Sequence, residues 1–311
     1  MDKGTQAIEL ASQVDDPLTE IFARFWTAFA ARDMGDSEVA SSQAETLLIA
    51  AEKVRDRFWL ASALWSNEVV YRLKGDWAGA RQFSDRGLFI SPTDPRILSG
   101  RILCEYQVGD FDQGSVYLEQ ILEVMRSSKP WLTPGFGAAC MAVPLVGRTT
   151  GMLENLQVPQ MVAETILIES NATPYVTTWA RASMGLIGTL QGDVQVVEVQ
   201  YGALGLLSGI MLPGGTVSGD RILALLSQTM GNPDQATDHF EDALAFCRKA
   251  GYRPELGWTC CDYADTLRAR DAEGDRTKAM FLLDESLAIS SELGMRPLME
   301  RVLSRREILG A

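Results

Sequence analysis

Apolar residues recur along this chain at helical spacing, in segments that are broken at short turns beginning with glycine. The clearest case is the stretch from Ala61 to Pro92, where Gly75 and Asp76 interrupt one helical pattern and a second begins at Trp77. Glycine adopts the left-handed conformation that often ends a helix, and an aspartate side chain caps the helix that follows. The stretch therefore predicts two antiparallel helices, a unit that cannot bury its apolar face alone.

The same turn recurs along the whole sequence, which indicates a repeat. Seven glycines precede a second helix at intervals of 34 to 43 residues: Gly35, Gly75, Gly109, Gly151, Gly192, Gly231 and Gly274. Aspartate follows five of them and asparagine follows one. A period of this length with helix-turn-helix chemistry is typical of tetratricopeptide-like arrays. Small residues agree with this interpretation, since Ala80 and Gly87 lie five and twelve positions after Gly75.

These patterns predict an all-α fold. We expect a single tetratricopeptide-like domain over residues 1–311, formed by about sixteen antiparallel helices in a right-handed superhelix. The predicted helices span residues 5–14, 17 to near 35, 37–54, 57–74, 77–90, 95–108, 111–127, 135–149, 152–169, 174–191, 194–211, 218–230, 233–250, 254–270, 276–293 and 296–308. Four prolines make residues 129–160 an irregular section, where we expect shortened or kinked helices.

From Pro174 to Val302 the sequence is similar to a known class of repeat. The segments GNPDQA, HFEDALAFCRKAGYRPELGWTCCDYADTLRAR and EGDRTKAMFLLDESLAISSELGMRPLMERV resemble the C-terminal tetratricopeptide region of large bacterial signalling ATPases. These proteins include LuxR-type transcription regulators of the maltose-activator kind and adenylate/guanylate cyclase-like proteins with an AAA-type ATPase module. The resemblance is strong over the second half of the chain and loose over the earlier repeats.

The resemblance implies a sensing or interaction function in signal transduction or transcription regulation. In that family the repeats follow a nucleotide-binding module, receive an inducer or a partner protein, and relay the signal to an output domain. This sequence contains no G-x-x-x-x-G-K-[ST] phosphate loop, and no helix-turn-helix output domain follows Ala311. We therefore expect a fragment of a larger regulator, a non-catalytic arm that binds a protein, a peptide or a small effector. The alternative is a free-standing scaffold adaptor for protein complexes.

Charge and reactive side chains narrow the chemistry further. The formal net charge of −13 disfavours direct contact with nucleic acid. The five cysteines form no C-x-x-C pair, and the single histidine, His239, indicates neither a metal site nor a catalytic triad. We expect no cofactor, no metal ion and no enzymatic activity. The sequence has no long apolar run and no signal peptide, so we expect no membrane contact and a reducing, cytoplasmic location.

Candidate binding residues follow from the repeat geometry. In a tetratricopeptide array the first helix of each pair lines a concave groove. Counting from the turn glycines, positions facing this groove include Trp65, Arg72, Tyr106, Trp179 and Arg221. Aromatic and arginine side chains dominate interface energetics, so these five are the candidate partner-binding residues. The alternative for the two tryptophans is packing between repeats, and for the two arginines a solvated helix surface.

Two loops are open to more than one interpretation. Residues 129–136, KPWLTPGF, are either a partner-docking loop or a packed connection between helices. Residues 214–220, GGTVSGD, are either an effector-contacting loop that presents backbone N–H groups or a plain connection with a helix cap.

Overall fold

The computed structural model of the chain describes residues 2–128, 132–205 and 207–310. Within these residues the protein is helical and forms no strand, which confirms the predicted all-α fold class. The helices are α1 (Asp2–Gln13), α2 (Pro17–Asp33), α3 (Ser37–Val54), α4 (Arg57–Lys74), α5 (Trp77–Ile90), α6 (Pro95–Val108), α7 (Phe111–Ser127), α8 (Pro134–Thr150), α9 (Gln157–Ile168), α10 (Pro174–Gln191), α11 (Val194–Leu204), α12 (Gly219–Thr229), α13 (Pro233–Ala250), α14 (Arg253–Arg270), α15 (Asp275–Leu293) and α16 (Arg296–Gly310). The right-handed superhelical arrangement of these helices stays a prediction.

The helix ends are explained by the turn chemistry that the sequence predicts. All seven turn glycines have positive φ, between 69° and 85°, a conformation that costs glycine little. Four aspartates that follow them accept a hydrogen bond from a backbone N–H of the next helix: Asp36, Asp76, Asp110 and Asp193. Asn232 makes no such bond, and Asp275 instead pairs with Arg270. Short capped turns of this kind place consecutive helices side by side and antiparallel.

Consecutive helices pack through small residues at the expected positions. Ala80 and Ala236 are fully buried. At Gly87 an added Cβ atom would lie 2.7 Å from Cδ1 of Ile97, so α5 and α6 approach too closely there for a larger residue. Most helices bury their apolar faces mainly against the preceding and following helices, whereas α8 packs mainly against α6 and α10.

The first and second halves of the chain also contact each other, which nearest-neighbour stacking alone does not predict. Helix α14 packs against α4, and α16 packs against α6 and α8. Several hydrogen bonds join the halves, and three of them have a length of 2.7 Å: Tyr252 hydroxyl to the Arg32 carbonyl, Trp77 Nε1 to the Leu293 carbonyl, and Trp258 Nε1 to Gln107 Oε1. The inner helices of the two halves thus face each other.

Residues 211–212 and 214–218, which precede α12, lie inside the molecule. The predicted helix over 194–211 was wrong in its second part, because α11 ends at Leu204. The Met211 amide donates to the Asp33 carbonyl at 2.8 Å, and the Leu212 amide donates to Val217 at 2.8 Å. These bonds to distant and turn partners replace the helical ones and bury the segment between the halves.

Proline shapes the irregular section less than expected. Helix α8 runs through Pro144, which has no N–H and leaves the Cys140 carbonyl without its helical donor. The Ser183 hydroxyl of α10 donates to that carbonyl at 2.7 Å, so the lost bond is replaced from a neighbouring helix. Helix α9 is shorter than predicted and begins at Gln157. Residues 129–131 lie outside the described residues.

No helix in the described ranges combines the length and apolar character that crossing a lipid bilayer requires.

Candidate functional site

The five predicted binding residues all lie in the interior. Their exposed fractions are 2% for Trp65, 6% for Arg72, 3% for Tyr106, 0% for Trp179 and 4% for Arg221. The inner faces of the first helices are covered by the opposite half of the molecule and by the segment before α12. That these residues bind a partner stays a prediction. In the structure each of them makes an intramolecular contact.

The structure brings Arg72, Tyr106 and Arg221 around one small internal cavity of about 30 Å³. A cavity of this size holds one or two water molecules but no effector. Arg72 donates to the carbonyl oxygens of Gly215 and Gly214 at 2.8 and 2.6 Å. The glycine-rich segment 214–220 is therefore a packed connection, held in place by an arginine of α4.

A buried ion network joins the halves beside this cavity. Asp262 of α14 accepts from Arg148 at 2.7 Å and from Arg221 at 2.9 Å. Arg301 lies 3.7 Å from the same carboxylate. The arginines around it hold the pKa of Asp262 well below its usual range, despite its burial. Arg221 also donates to Glu255 at 2.8 Å, so this residue, which was predicted to face a groove, instead makes contacts that hold the fold together.

A different site is a cleft of about 600 Å³ that we call the aromatic cleft. One side is formed by eight aromatic side chains from α2, α4 and α10: Phe22, Phe25, Trp26, Phe29, Phe58, Trp59, Trp65 and Tyr175. Several of these rings are open to solvent, since Phe22 is 53%, Trp26 40% and Phe58 60% exposed. Large aromatics left exposed together mark an interaction site more often than a folding defect.

The aromatic rings support one another at near-perpendicular angles. Phe22 meets Trp59 at 86°, and Trp26 meets Tyr175 at 81°, with ring centroids 6.0 and 6.4 Å apart. Tyr175 continues onto Trp179 at 4.6 Å. Edge-to-face pairs of this kind are favourable in themselves, so the walls of the cleft keep their shape without a ligand.

The rest of the lining comes mainly from the N-terminal ends of α6 and α8 and is polar, and we call it the polar wall. It includes the hydroxyl groups of Ser91, Thr93 and Thr133 and the ion pair of Arg96 with Asp94. Arg96 Nη2 lies 2.6 Å from Asp94 Oδ2, and Arg96 Nε donates to Asp94 Oδ1 at 3.0 Å. The guanidinium also lies 5.4 Å from the Trp65 ring centre. The cleft therefore combines an aromatic lining with hydrogen-bonding side chains that lie against it.

Polar groups lie behind the aromatic wall, at the end of α2. The Arg32 guanidinium stacks 4.0 Å from the Phe29 ring centre and pairs with Asp33 at 2.8 Å. The Tyr175 hydroxyl is buried beside Arg32, and burial raises the pKa of this phenol well above its usual value. Burial raises the pKa of Asp33 to about 6, against the opposing pull of Arg32.

We expect Asp33 to make stability depend on pH between 4 and 6. The folded pKa of this carboxyl lies above its unfolded value, so its contribution to stability is greatest below pH 4 and is lost as pH rises through 6. Between pH 4 and 7 the wild type should therefore lose on the order of 2 kcal/mol of unfolding free energy relative to the Asp33→Asn variant, which has no carboxyl to ionise. Urea denaturation at both pH values measures it, and a difference that does not vary with pH would contradict the assignment.

Sequence reasoning missed most of this cleft, although a signal was present. Phe22, Phe25, Trp26 and Phe29 follow the i, i+3, i+4, i+7 spacing that places side chains on one helix face. Trp65 alone was predicted among the cleft residues. Residues 133–135, which belong to the loop expected to be either a partner-docking loop or a packed connection, also line the cleft.

The remaining reactive groups form no second site among the described residues. All five cysteines are buried and free, and burial raises the pKa of the Cys104 thiol to about 12. The ring nitrogen Nε2 of His239 lies 2.9 Å from the Tyr201 hydroxyl. No cluster of three metal-binding side chains is present in the residues that the structure describes.

Comparison with known proteins adds no assignment to this geometry. No protein-family model matches the chain, and no curated protein is significantly similar to it.

Proposed function

We propose that this protein is a non-catalytic, ligand-binding helical-repeat domain that takes a small amphipathic effector in its aromatic cleft. The observation that carries the proposal is the cleft of about 600 Å³, which is lined by eight aromatic side chains and by polar residues. Pockets for small molecules are commonly about 300–1,000 Å³, mostly apolar, and carry a few placed polar groups.

The aromatic wall selects an apolar body. Phe22, Trp26 and Phe58 expose ring surface that an aliphatic or aromatic ligand would cover. Covering apolar surface contributes roughly 25 cal/mol per Å², so even a ten-carbon chain gains appreciable affinity here.

The polar wall selects a head group that accepts hydrogen bonds. An arginine side chain has about five N–H donors. Arg96 uses three of them, two on Asp94 and one on Ser62 Oγ at 2.9 Å. The remaining donors and the hydroxyl groups of Thr93 and Thr133 favour a carboxylate or carbonyl oxygen.

The proposed biological setting rests on the sequence resemblance. As a domain of a bacterial signalling or transcription regulator, it would contact another domain or protein of the signalling system differently when the effector is bound. The alternative, a free-standing scaffold adaptor, is favoured by a surface groove between α5 and α7, which is described below.

A head-group series tests the proposal. Decanoate, decanol and decyltrimethylammonium share one apolar chain and differ in the charge of the head group. Titration calorimetry below their micellar concentrations therefore separates the contribution of the apolar chain to affinity from that of the head group. We expect saturable binding of about one molecule per chain, with decanoate binding roughly tenfold more tightly than the ammonium compound. Fluorescence of Trp26 and Trp59 should change over the same concentration range.

Each outcome of these titrations supports or contradicts a different part of the proposal. If none of the three compounds binds, the effector proposal is wrong. If decanol or the ammonium compound binds as tightly as decanoate, the apolar body is supported and the proposed head group is wrong.

A further inference from the structure

A second opening lies on the surface between α5 and α7, and its floor is apolar. This α5–α7 groove has a volume of about 660 Å³. Leu88, Leu98, Tyr117 and Val124 form its floor, and Leu98 is fully buried while the other three are half-buried. Phe89 follows Leu88 on α5 and is 90% exposed, which extends the apolar surface beyond the floor.

The edge of the groove carries negative charge that the protein does not neutralise. Glu119 and Glu123 line it, are exposed and form no ion pair within the described residues. They are four positions apart on α7, where like charges repel each other. Asp85 lines the opposite edge and is paired with Arg101.

The nearby basic side chains of Arg101 and Arg126 do not neutralise Glu119 and Glu123. Arg101 lies below the edge, stacked 5.1 Å from the Tyr117 ring centre, and also pairs with Glu105 at 2.6 Å. Arg126 is one turn beyond Glu123, does not line the groove and forms no ion pair among the described residues. A ligand with positive charge on its flanks would therefore complete the groove.

From these features we infer that the α5–α7 groove is a docking surface for a basic amphipathic helix of a partner protein. The apolar face of such a helix covers Leu88 and Val124, and its lysine or arginine side chains pair with Glu119 and Glu123. Apolar grooves between helices recognise amphipathic helices in this way, and complementary charge sets specificity and association rate.

This inference does not depend on the effector proposal, because the two openings are separate. The turn from Ser91 to Asp94 lies between them: Ser91 and Asp94 line the aromatic cleft, Pro92 lines the groove, and Thr93 lines both. Each site can therefore be tested with its own probe and its own variants.

The test uses the full chain and a fluorescein-labelled model helix of 18 leucine and lysine residues, with a leucine–glutamate helix as the matched probe. Fluorescence anisotropy is measured at physiological salt, where distant surface charges are screened. We expect the double variant Glu119→Lys, Glu123→Lys to lower affinity for the lysine helix at least tenfold. The control variant Glu38→Lys, Glu45→Lys changes two exposed carboxylates of α3 and the same net charge, and it should lower affinity less than threefold.

Three outcomes would overturn the inference. The two double variants could weaken binding equally, which would show unspecific attraction. The glutamate helix could bind as tightly as the lysine helix, which would show that charge selects nothing. Sedimentation velocity could show a dimer that only the groove variant dissociates, and the occupant would then be a second copy of this chain.

Discussion

Replacing Asp262 with asparagine is expected to lower the free energy of unfolding by about 3–5 kcal/mol. The substitution keeps the size of the side chain and removes the charge on which Arg148 and Arg221 converge, at 2.7 and 2.9 Å. Arg221 keeps Glu255 as a second partner, but Arg148, whose side chain is 14% exposed, pairs with no other carboxylate among the described residues. Breaking one partner of a buried pair leaves an uncompensated charge, which costs far more than the pair itself contributes. Urea denaturation at pH 7 measures the loss.

A surface carboxylate provides the control. Asp234 pairs with Arg270 at 3.0 Å, but its side chain is 90% exposed. Its replacement by asparagine should change stability by less than about 1 kcal/mol, as for most exposed pairs. The contribution of charged Asp262 should persist at every pH above about 4 and be lost only below, because its folded pKa lies below the unfolded value. A loss under 1 kcal/mol for the Asp262 variant would show that the network does not hold the halves together.

Local chemistry explains why most helix bounds could be predicted from the sequence. A glycine with positive φ and a capping aspartate act within four residues, so Gly75 and Asp76 end one helix and begin the next without help from the rest of the fold. Helices α3 to α7 begin and end at the predicted residues. Apolar spacing then identified the buried side of each helix.

Contacts between distant parts of the chain could not be predicted in this way. The run from Gly205 to Leu212 is apolar enough to continue α11, yet the Met211 amide bonds to Asp33, nearly 180 residues earlier. The spacing of apolar residues along a sequence does not identify a hydrogen-bond partner so far away in the chain. The same limit explains Arg72, which was expected to face a groove and instead binds two carbonyl oxygens of the buried segment.

The aromatic cleft lies between these cases. The stripe of Phe22, Trp26 and Phe29 can be read from helix spacing, but apolar stripes usually form the core. Only the tertiary structure, in which residues of α4, α6, α8 and α10 line the same opening, shows that this stripe is not fully covered. The resemblance to repeat regions of signalling proteins predicted a binding function, and packing provides the candidate place for it.

Removing two rings from the cleft should abolish most effector binding while leaving the fold intact. The double variant Trp26→Ala, Phe58→Ala deletes side chains that are 40% and 60% exposed, so the loss of core packing is limited. Each ring covers part of the apolar body of the ligand, and central aromatic contacts commonly contribute 2 kcal/mol or more to binding. We therefore expect affinity for decanoate to fall about a hundredfold or more, as measured by titration calorimetry.

The matched control is Phe281→Ala, which removes a 65% exposed ring of α15 that does not line the cleft. Its affinity for decanoate should stay within about twofold of the wild type, because exposed rings outside the cleft cover none of the ligand. Circular dichroism and thermal melting should show near-native helix content and stability for both proteins. If the double variant binds decanoate as the wild type does, the ligand lies elsewhere. If both variants lose binding equally, decanoate is held by scattered exposed rings and the aromatic cleft is not a specific site.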